Sequence, residues 1–267
     1  MSTPLETLFT TVRSENRAAL IAYIPAGFPT QEGCKKVIQA FVDGGVDAIE
    51  IGFPYSDPVM DGPTIQAAAD QALSQGTGAK EVFEALKHAT DLGVPAVVMT
   101  YWNPIEKYGA DKFAQSIVDN GGSGVITPDL TIEESAAWTA AVARSEINSI
   151  YVVAPSTKDA RLASVTDHCS GFVYAASLMG VTGTRTSVSS GAPDLVARIR
   201  KSTDTAVAVG LGVSTREQAK GVAAYADGVI VGSAFINKLM EAKDEASGLI
   251  AVRELTEQLA QGVREGR

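Results

Sequence analysis

The chain has 267 residues, 45% of them hydrophobic, and a formal charge of -9 at pH 7. That surplus of acids excludes broad nucleic-acid binding, which needs clustered Lys and Arg, so any phosphate recognition has to be local. Two cysteines, Cys34 and Cys169, cannot frame a chain of this length with disulfides and suit a reducing compartment. No run reaches the roughly 18 apolar residues of a membrane span. Residues 18–24 are apolar, but acidic Glu6 and Glu15 precede them and the loop Pro25-Ala26-Gly27-Phe28-Pro29 follows, so they read as a strand and not as a signal segment. A soluble, cytoplasmic protein is expected.

Short apolar runs ending in Gly, Pro or Asp recur at 19–24, 48–51, 96–100, 124–127, 149–153, 172–175, 206–209 and 228–231. Their spacing averages roughly 30 residues, the length of one βα unit. Helical spacing of apolar residues fills the gaps, as in Val37, Phe41 and Val42, in Phe113, Ile117 and Val118, and over 136–143, 162–165 and 219–223. Thr131 with Glu134 and Ser214 with Glu217 read as capping boxes. Eight apolar strands alternating with helices predict a parallel sheet covered on both faces. The competing open, doubly wound sheet carries a Gly-x-Gly-x-x-Gly turn after its first strand, and none stands there. The α/β fold expected is a (βα)8 TIM barrel with extra helices at 5–14 and 247–263 closing the bottom and the side. With no linker, repeat or low-complexity tract, residues 1–267 read as one domain.

Glu50 interrupts the apolar strand Asp47-Ala48-Ile49-Glu50-Ile51-Gly52 near its C-terminal end. With a period of two it shares a face with Ala48, while Ile49 and Ile51 suit the helix-covered outside, so Glu50 is expected to point into the barrel. Desolvation there raises its pKa toward neutrality, the condition for a general acid or base. A structural Glu paired with a buried cation is the alternative. The next segment, Phe53 to Pro63, is rich in proline, which holds its aspartates in place. Asp61 reads either as a second carboxylate at the same mouth or as a helix-capping Asp ahead of Gly62-Pro63. Neither His88 nor His168 lies in a ligand-like cluster, so no metal is expected.

Three small-residue turns follow the last three strands: Gly180-Val181-Thr182-Gly183, Gly210-Leu211-Gly212-Val213-Ser214 and Gly232-Ser233-Ala234. Glycines let backbone N–H groups approach a phosphate, and a following helix N-terminus adds a favourable field. These are the loops that cradle phosphate in such barrels. Residues 180–192, rich in Gly, Ser and Thr, read as a lid that Arg185 helps to fix when closed. Tyr174, on the sixth strand, either packs in the barrel or reaches the carboxylate pocket with its hydroxyl.

The segment from Glu50 to Gln66 closely resembles the signature of the tryptophan synthase alpha chain family. Tyr101-Trp102-Asn103-Pro104, Pro128-Asp129-Leu130 and the three glycine turns match in the family's order over nearly the whole chain. The resemblance implies a lyase that splits indole-3-glycerol phosphate into indole and glyceraldehyde 3-phosphate. By the same resemblance Glu50 is the general acid/base, Asp61 accepts the indole N–H, Tyr174 is the active-site tyrosine, and Gly183, Gly212, Gly232 and Ser233 bind phosphate. It further implies a beta-chain partner in an alpha2-beta2 heterotetramer, with Asp57 and its loop near that partner. Pyridoxal phosphate would belong to the beta chain and no cofactor to this one. Leu211, Met179 and Thr127 depart from the family pattern at positions expected near the ligand or its lid. Outside the resemblance two readings remain, another phosphate-binding barrel enzyme and a non-catalytic docking subunit. The Schiff-base branch of the first needs an inner-strand lysine, which none of the eight runs contains.

Overall fold

The computed structural model describes residues 2–176, 191–210 and 212–267. In chain order its elements are α1 (Pro4–Ser14), β1 (Ala19–Pro25), α2 (Gln31–Asp43), β2 (Ala48–Gly52), α3 (Pro63–Ser74), α4 (Ala79–Asp91), β3 (Ala96–Met99), α5 (Trp102–Tyr108), α6 (Ala110–Asp119) and β4 (Gly124–Thr127). There follow α7 (Ala136–Ser145), β5 (Asn148–Val153), α8 (Asp159–Thr166), β6 (Phe172–Ala176), α9 (Ala192–Ile199), β7 (Ala206–Gly210), α10 (Arg216–Ala223), β8 (Gly228–Val231), α11 (Ser233–Glu241) and α12 (Glu245–Arg264). The strands close in sequence order into one parallel barrel, β8 pairing back onto β1 with Ala19 beside Gly228. This is the (βα)8 barrel that the eight apolar runs predict.

Two layers of core follow from the period of two along each strand. Alternate residues such as Ile21, Ala48, Val97, Ile126, Ile150, Phe172, Ala208 and Ile230 fill the interior. Their neighbours, among them Ala22, Ile49, Val98, Val125 and Val209, face the helices. The first extra helix, α1, plugs the bottom: Leu5, Phe9 and Val12 join the interior cluster, and the Phe9 ring lies 5.6 Å from that of Phe172. Each such buried side chain contributes about 1.5–3 kcal/mol. A Thr3–Glu6 capping box starts this helix, and Asn148 accepts from the Thr3 hydroxyl at 2.6 Å while donating to Glu6 at 2.9 Å. The second, α12, lies against α2, α10 and α11 on the side of the barrel.

Both capping boxes read from the sequence move. The Glu134 N–H closes a tight turn on the Thr131 carbonyl, a bond too short in register to continue as an α-ladder, and α7 starts only after Ser135. At α10 the box is Thr215 with Gln218, one residue later, because the Gln218 carboxamide reaches the Thr215 and Ser214 N–H groups together. Val118, counted on the buried face of α6, is 40% exposed. Thr127 also departs from expectation. It follows inward-facing Ile126 and so points to the helices, with its buried hydroxyl unpartnered, and it does not line the mouth.

Candidate functional site

Glu50 lies on the inner face of β2, two residues beyond inward-facing Ala48, and is 1% exposed. Its Oε2 has no hydrogen-bond partner, and among the described residues no cation pairs with it, which weighs against the structural-pair alternative. Burial, and next the negative charge of Asp61, push its pKa up to about 8. A carboxyl so placed holds its proton near neutral pH.

Asp61 stands on the loop that follows β2. The cap of α3 is Gly62, with no side chain bonded to the helix start, so Asp61 is not a capping residue. Gln66 holds its backbone instead, donating to the Asp61 carbonyl at 2.7 Å. Burial raises the Asp61 pKa to about 6, while a hydrogen bond from the Tyr101 hydroxyl works in the opposite direction. The two carboxyls therefore differ, with Asp61 the first to ionise.

Tyr174 meets both readings made of it. Its ring packs 6.4 Å from that of Phe172 on the inner face of β6, and its hydroxyl faces the charges of Glu50 and Asp61. The hydroxyl rests 2.5 Å from where a Cβ on Gly210 would stand, so a side chain at position 210 would displace it. Tyr23, which the sequence reading left in the core, also belongs to this mouth. It is the register partner of Glu50 across β1 and β2, and Asp61 and Glu50 act on its hydroxyl. Tyr101 is the second site residue missed as an individual side chain. Its hydroxyl accepts from the Met60 N–H at 3.1 Å and bonds the Asp61 carboxylate. Its mark is the pair of glycines beside it, Gly52 at the end of β2 and Gly232 just after β8, which become its neighbours only when the sheet closes.

The loops above the strands are tied to one another. The Tyr55 hydroxyl accepts from the Asn103 side chain at 3.0 Å, and the Tyr55 and Tyr101 rings lie 5.1 Å apart. The Trp102 N–H donates to Asp129 at 2.9 Å. The motifs around Trp102 and Asp129 thus fix the rim.

Beside the carboxylates, across the β1 seam, stands the glycine end. Gly212 has a φ of +66°, a conformation that side chains disfavour. Gly232 caps α11 with no side chain bonded to the helix start, and buried Ser233 opens its first turn. A helix N-terminus directs N–H groups and a positive field outward, toward an anion. Gly183, Met179, Leu211 and Arg185 lie outside the described residues, as does the expected lid except for Gly191 and Ala192, which lead into α9. Among the described residues no cluster of His, Cys, Asp or Glu could hold a metal. None of the eight strands carries a lysine.

Comparison with known proteins gives the family and supports the fold. The family model described as tryptophan synthase alpha chain matches residues 9–264. The tryptophan synthase alpha chain of Streptomyces avermitilis is 54% identical over 255 residues, covering 95% of this chain and 92% of that one. Its counterpart in Nocardia farcinica is 50% identical over 260 residues, covering 97% and 96%. A chain in a structure of Mycobacterium tuberculosis tryptophan synthase superposes with a TM-score of 0.93 at 46% identity, covering 99% of each chain. The tryptophan synthase subunit alpha of Legionella pneumophila gives 0.87 at 31% identity, covering 98% and 99%. The chain belongs to the tryptophan synthase alpha chain family, the lyase subunits of tryptophan biosynthesis.

Proposed function

We propose that Glu50 and Asp61 carry the retro-aldol cleavage of indole-3-glycerol phosphate, the reaction of this family, with the phosphate held at the glycine end. The observation that carries the assignment is the pair of unlike carboxyls at one mouth, Glu50 pushed up to about 8 and Asp61 to about 6. Near pH 7 the first is largely protonated and the second largely ionised. Glu50 gives its proton to indole C3, and the ring nitrogen takes up positive charge that the Asp61 carboxylate stabilises through the N–H. The Glu50 carboxylate then takes the proton of the neighbouring side-chain hydroxyl. The carbon–carbon bond breaks, its electrons return to the ring as indole, and the alkoxide becomes the aldehyde of glyceraldehyde 3-phosphate. Glu50 ends protonated, ready for the next turnover. Tyr174 lines the pocket between the two ends. Gly183, Gly212, Gly232 and Ser233 hold the phosphate by backbone N–H groups and the start of α11.

The chain works with a beta chain as an alpha2-beta2 heterotetramer. Exposed Asp57 and Val59, the latter 72% exposed on the loop that carries Asp61, suit a place at that contact. Pyridoxal phosphate belongs to the partner, and this chain needs no cofactor. The cytoplasm is the compartment of such biosynthesis, in keeping with the absence of a helix long and apolar enough to cross a membrane among the described residues. Indole release from indole-3-glycerol phosphate, measured alone and with a beta chain, tests the reading. Slow release that rises with the partner and is lost in Glu50→Gln and Asp61→Asn supports it. Unchanged release in both variants would remove these residues from the chemistry.

A further inference from the structure

The roles above leave one aromatic of the mouth unused. Tyr23 follows inward-facing Ala19 and Ile21 at a period of two, so its side chain leaves β1 on the inner face, beside Glu50 of β2. Its ring is wedged between Gly52, which ends β2, and Gly232, which directly follows β8. A Cβ on Gly52 would stand 2.4 Å from the Tyr23 hydroxyl and 2.7 Å from two ring carbons, and one on Gly232 would stand 3.0 Å from the ring Cδ1. Glycine at both places therefore lets the ring lean toward β2 and sets the hydroxyl over the end of that strand. Gly52 is two residues beyond Glu50 on the same face, about 6.5 Å along the strand, within reach of an extended Glu side chain. The groups that face the hydroxyl are Asp61 from the loop after β2, Glu50 from β2, Tyr101 from the end of β3 and Tyr174 from β6. Burial first, then the two carboxylates, hold its acidity well below that of a free phenol, so it remains a neutral donor.

We propose that Tyr23 is a positioning residue for the proton transfers: its hydroxyl, set by Gly52 and Gly232, donates to the Glu50 carboxylate once the proton has left for the indole ring. This rests on the assignment of Glu50 as the acid/base. The hydrogen bond keeps the carboxylate aimed while it changes from donor to acceptor. A hydrogen bond to a charged group matters here in the intermediate, so its loss lowers turnover more than binding.

The test is Tyr23→Phe, which keeps the ring and removes only the oxygen, assayed for indole release across pH in the full chain with its beta chain. The expected result is a kcat lower by about tenfold, with KM within about twofold and Tm unchanged. The basic limb of kcat/KM, set by Glu50, is expected to move to higher pH, because a carboxylate that loses a donor holds its proton more tightly. A pH profile superimposable on the wild type, or a change confined to KM or Tm, would reduce Tyr23 to a packing residue. Glu50→Gln measured alongside separates the two claims. If it is inactive while Tyr23→Phe matches wild type, only the role of Tyr23 fails; if it is active, the assignment of Glu50 fails first.

Discussion

Tyr101 and Asp61 are joined across two loops: the Tyr101 hydroxyl bonds the Asp61 carboxylate while accepting the Met60 N–H at 3.1 Å. One phenol thus holds both the backbone and the charge of the loop after β2. Tyr101→Phe removes a contact that favours ionised Asp61, so the Asp61 pKa rises above about 6. The acid limb of kcat/KM should move to higher pH, with activity falling about tenfold near pH 6 and less near pH 8. An acid limb that stays in place would show that Asp61 ionises without help from Tyr101.

Glu50→Gln should cost activity by at least about 10²–10⁴-fold, since one group serves two proton transfers. It should also stabilise the fold at alkaline pH. The folded-state value of Glu50 lies above its ordinary 4.5, at about 8, so the unfolded chain loses this proton first. Stability from this group is intact below about 4.5 and is lost as pH rises toward 8. Thermal melts of variant and wild type should coincide near pH 4.5 and separate by on the order of a few kcal/mol at pH 8 and above. Parallel melting curves at every pH would mean that Glu50 is not desolvated.

At the opposite end of the barrel, Asp227 is 1% exposed and pairs with Arg13, Arg200 and Arg267, each at 3.1 Å. Burial alone would raise its pKa, but the hydrogen bonds from Arg13 and the Val207 N–H and the charge of Arg200 outweigh it and hold the value to about 2. Because this value is depressed, the contribution is present above about 4 and lost as pH falls toward 2. Asp227→Asn leaves three guanidinium groups facing a neutral side chain and should cost about 3 kcal/mol in urea unfolding. Activity of the folded fraction should not change, since the residue lies at the other end from the chemistry.

Gly212→Ala places a side chain where φ is +66°. The strain is about 1–2 kcal/mol, and the methyl crowds the expected path of the phosphate. KM for indole-3-glycerol phosphate should rise severalfold while the condensation of indole with unphosphorylated glyceraldehyde to indoleglycerol is spared. Equal losses in both assays would place Gly212 outside the phosphate contact.

Strand order and the inward turn of Glu50 were legible because a period of two leaves a carboxylate few places in an apolar strand. Asp61 could be suspected but not assigned, since capping and catalysis ask for the same residue in the same spacing; the Gly62 cap separates them only in three dimensions. Tyr23 was illegible for another reason. Within Ala-Leu-Ile-Ala-Tyr-Ile-Pro an aromatic reads as core, and its meaning comes from Gly52 and Gly232, which are neighbours only after the sheet closes. The cap of α10 slipped by one residue because Ser214 and Thr215 offer the same chemistry and only the reach of Gln218 chooses between them. Thr127 was misplaced because strand position alone does not say which face a residue takes; Ile126 fills the interior and turns it outward.

The closure of β8 onto β1 has a consequence for how activity arises during folding. The carboxylates come from the second strand and the loop after it, and the anchoring glycines from late in the chain, yet only the single strand β1 stands between β2 and β8. A half-built barrel, however well ordered its early strands, holds one end of the site without the other. Pairing of the first strand with the last is a long-range contact, formed against a large loop entropy. Catalytic competence should therefore emerge in a single late event as the last seam zips, and not accumulate strand by strand.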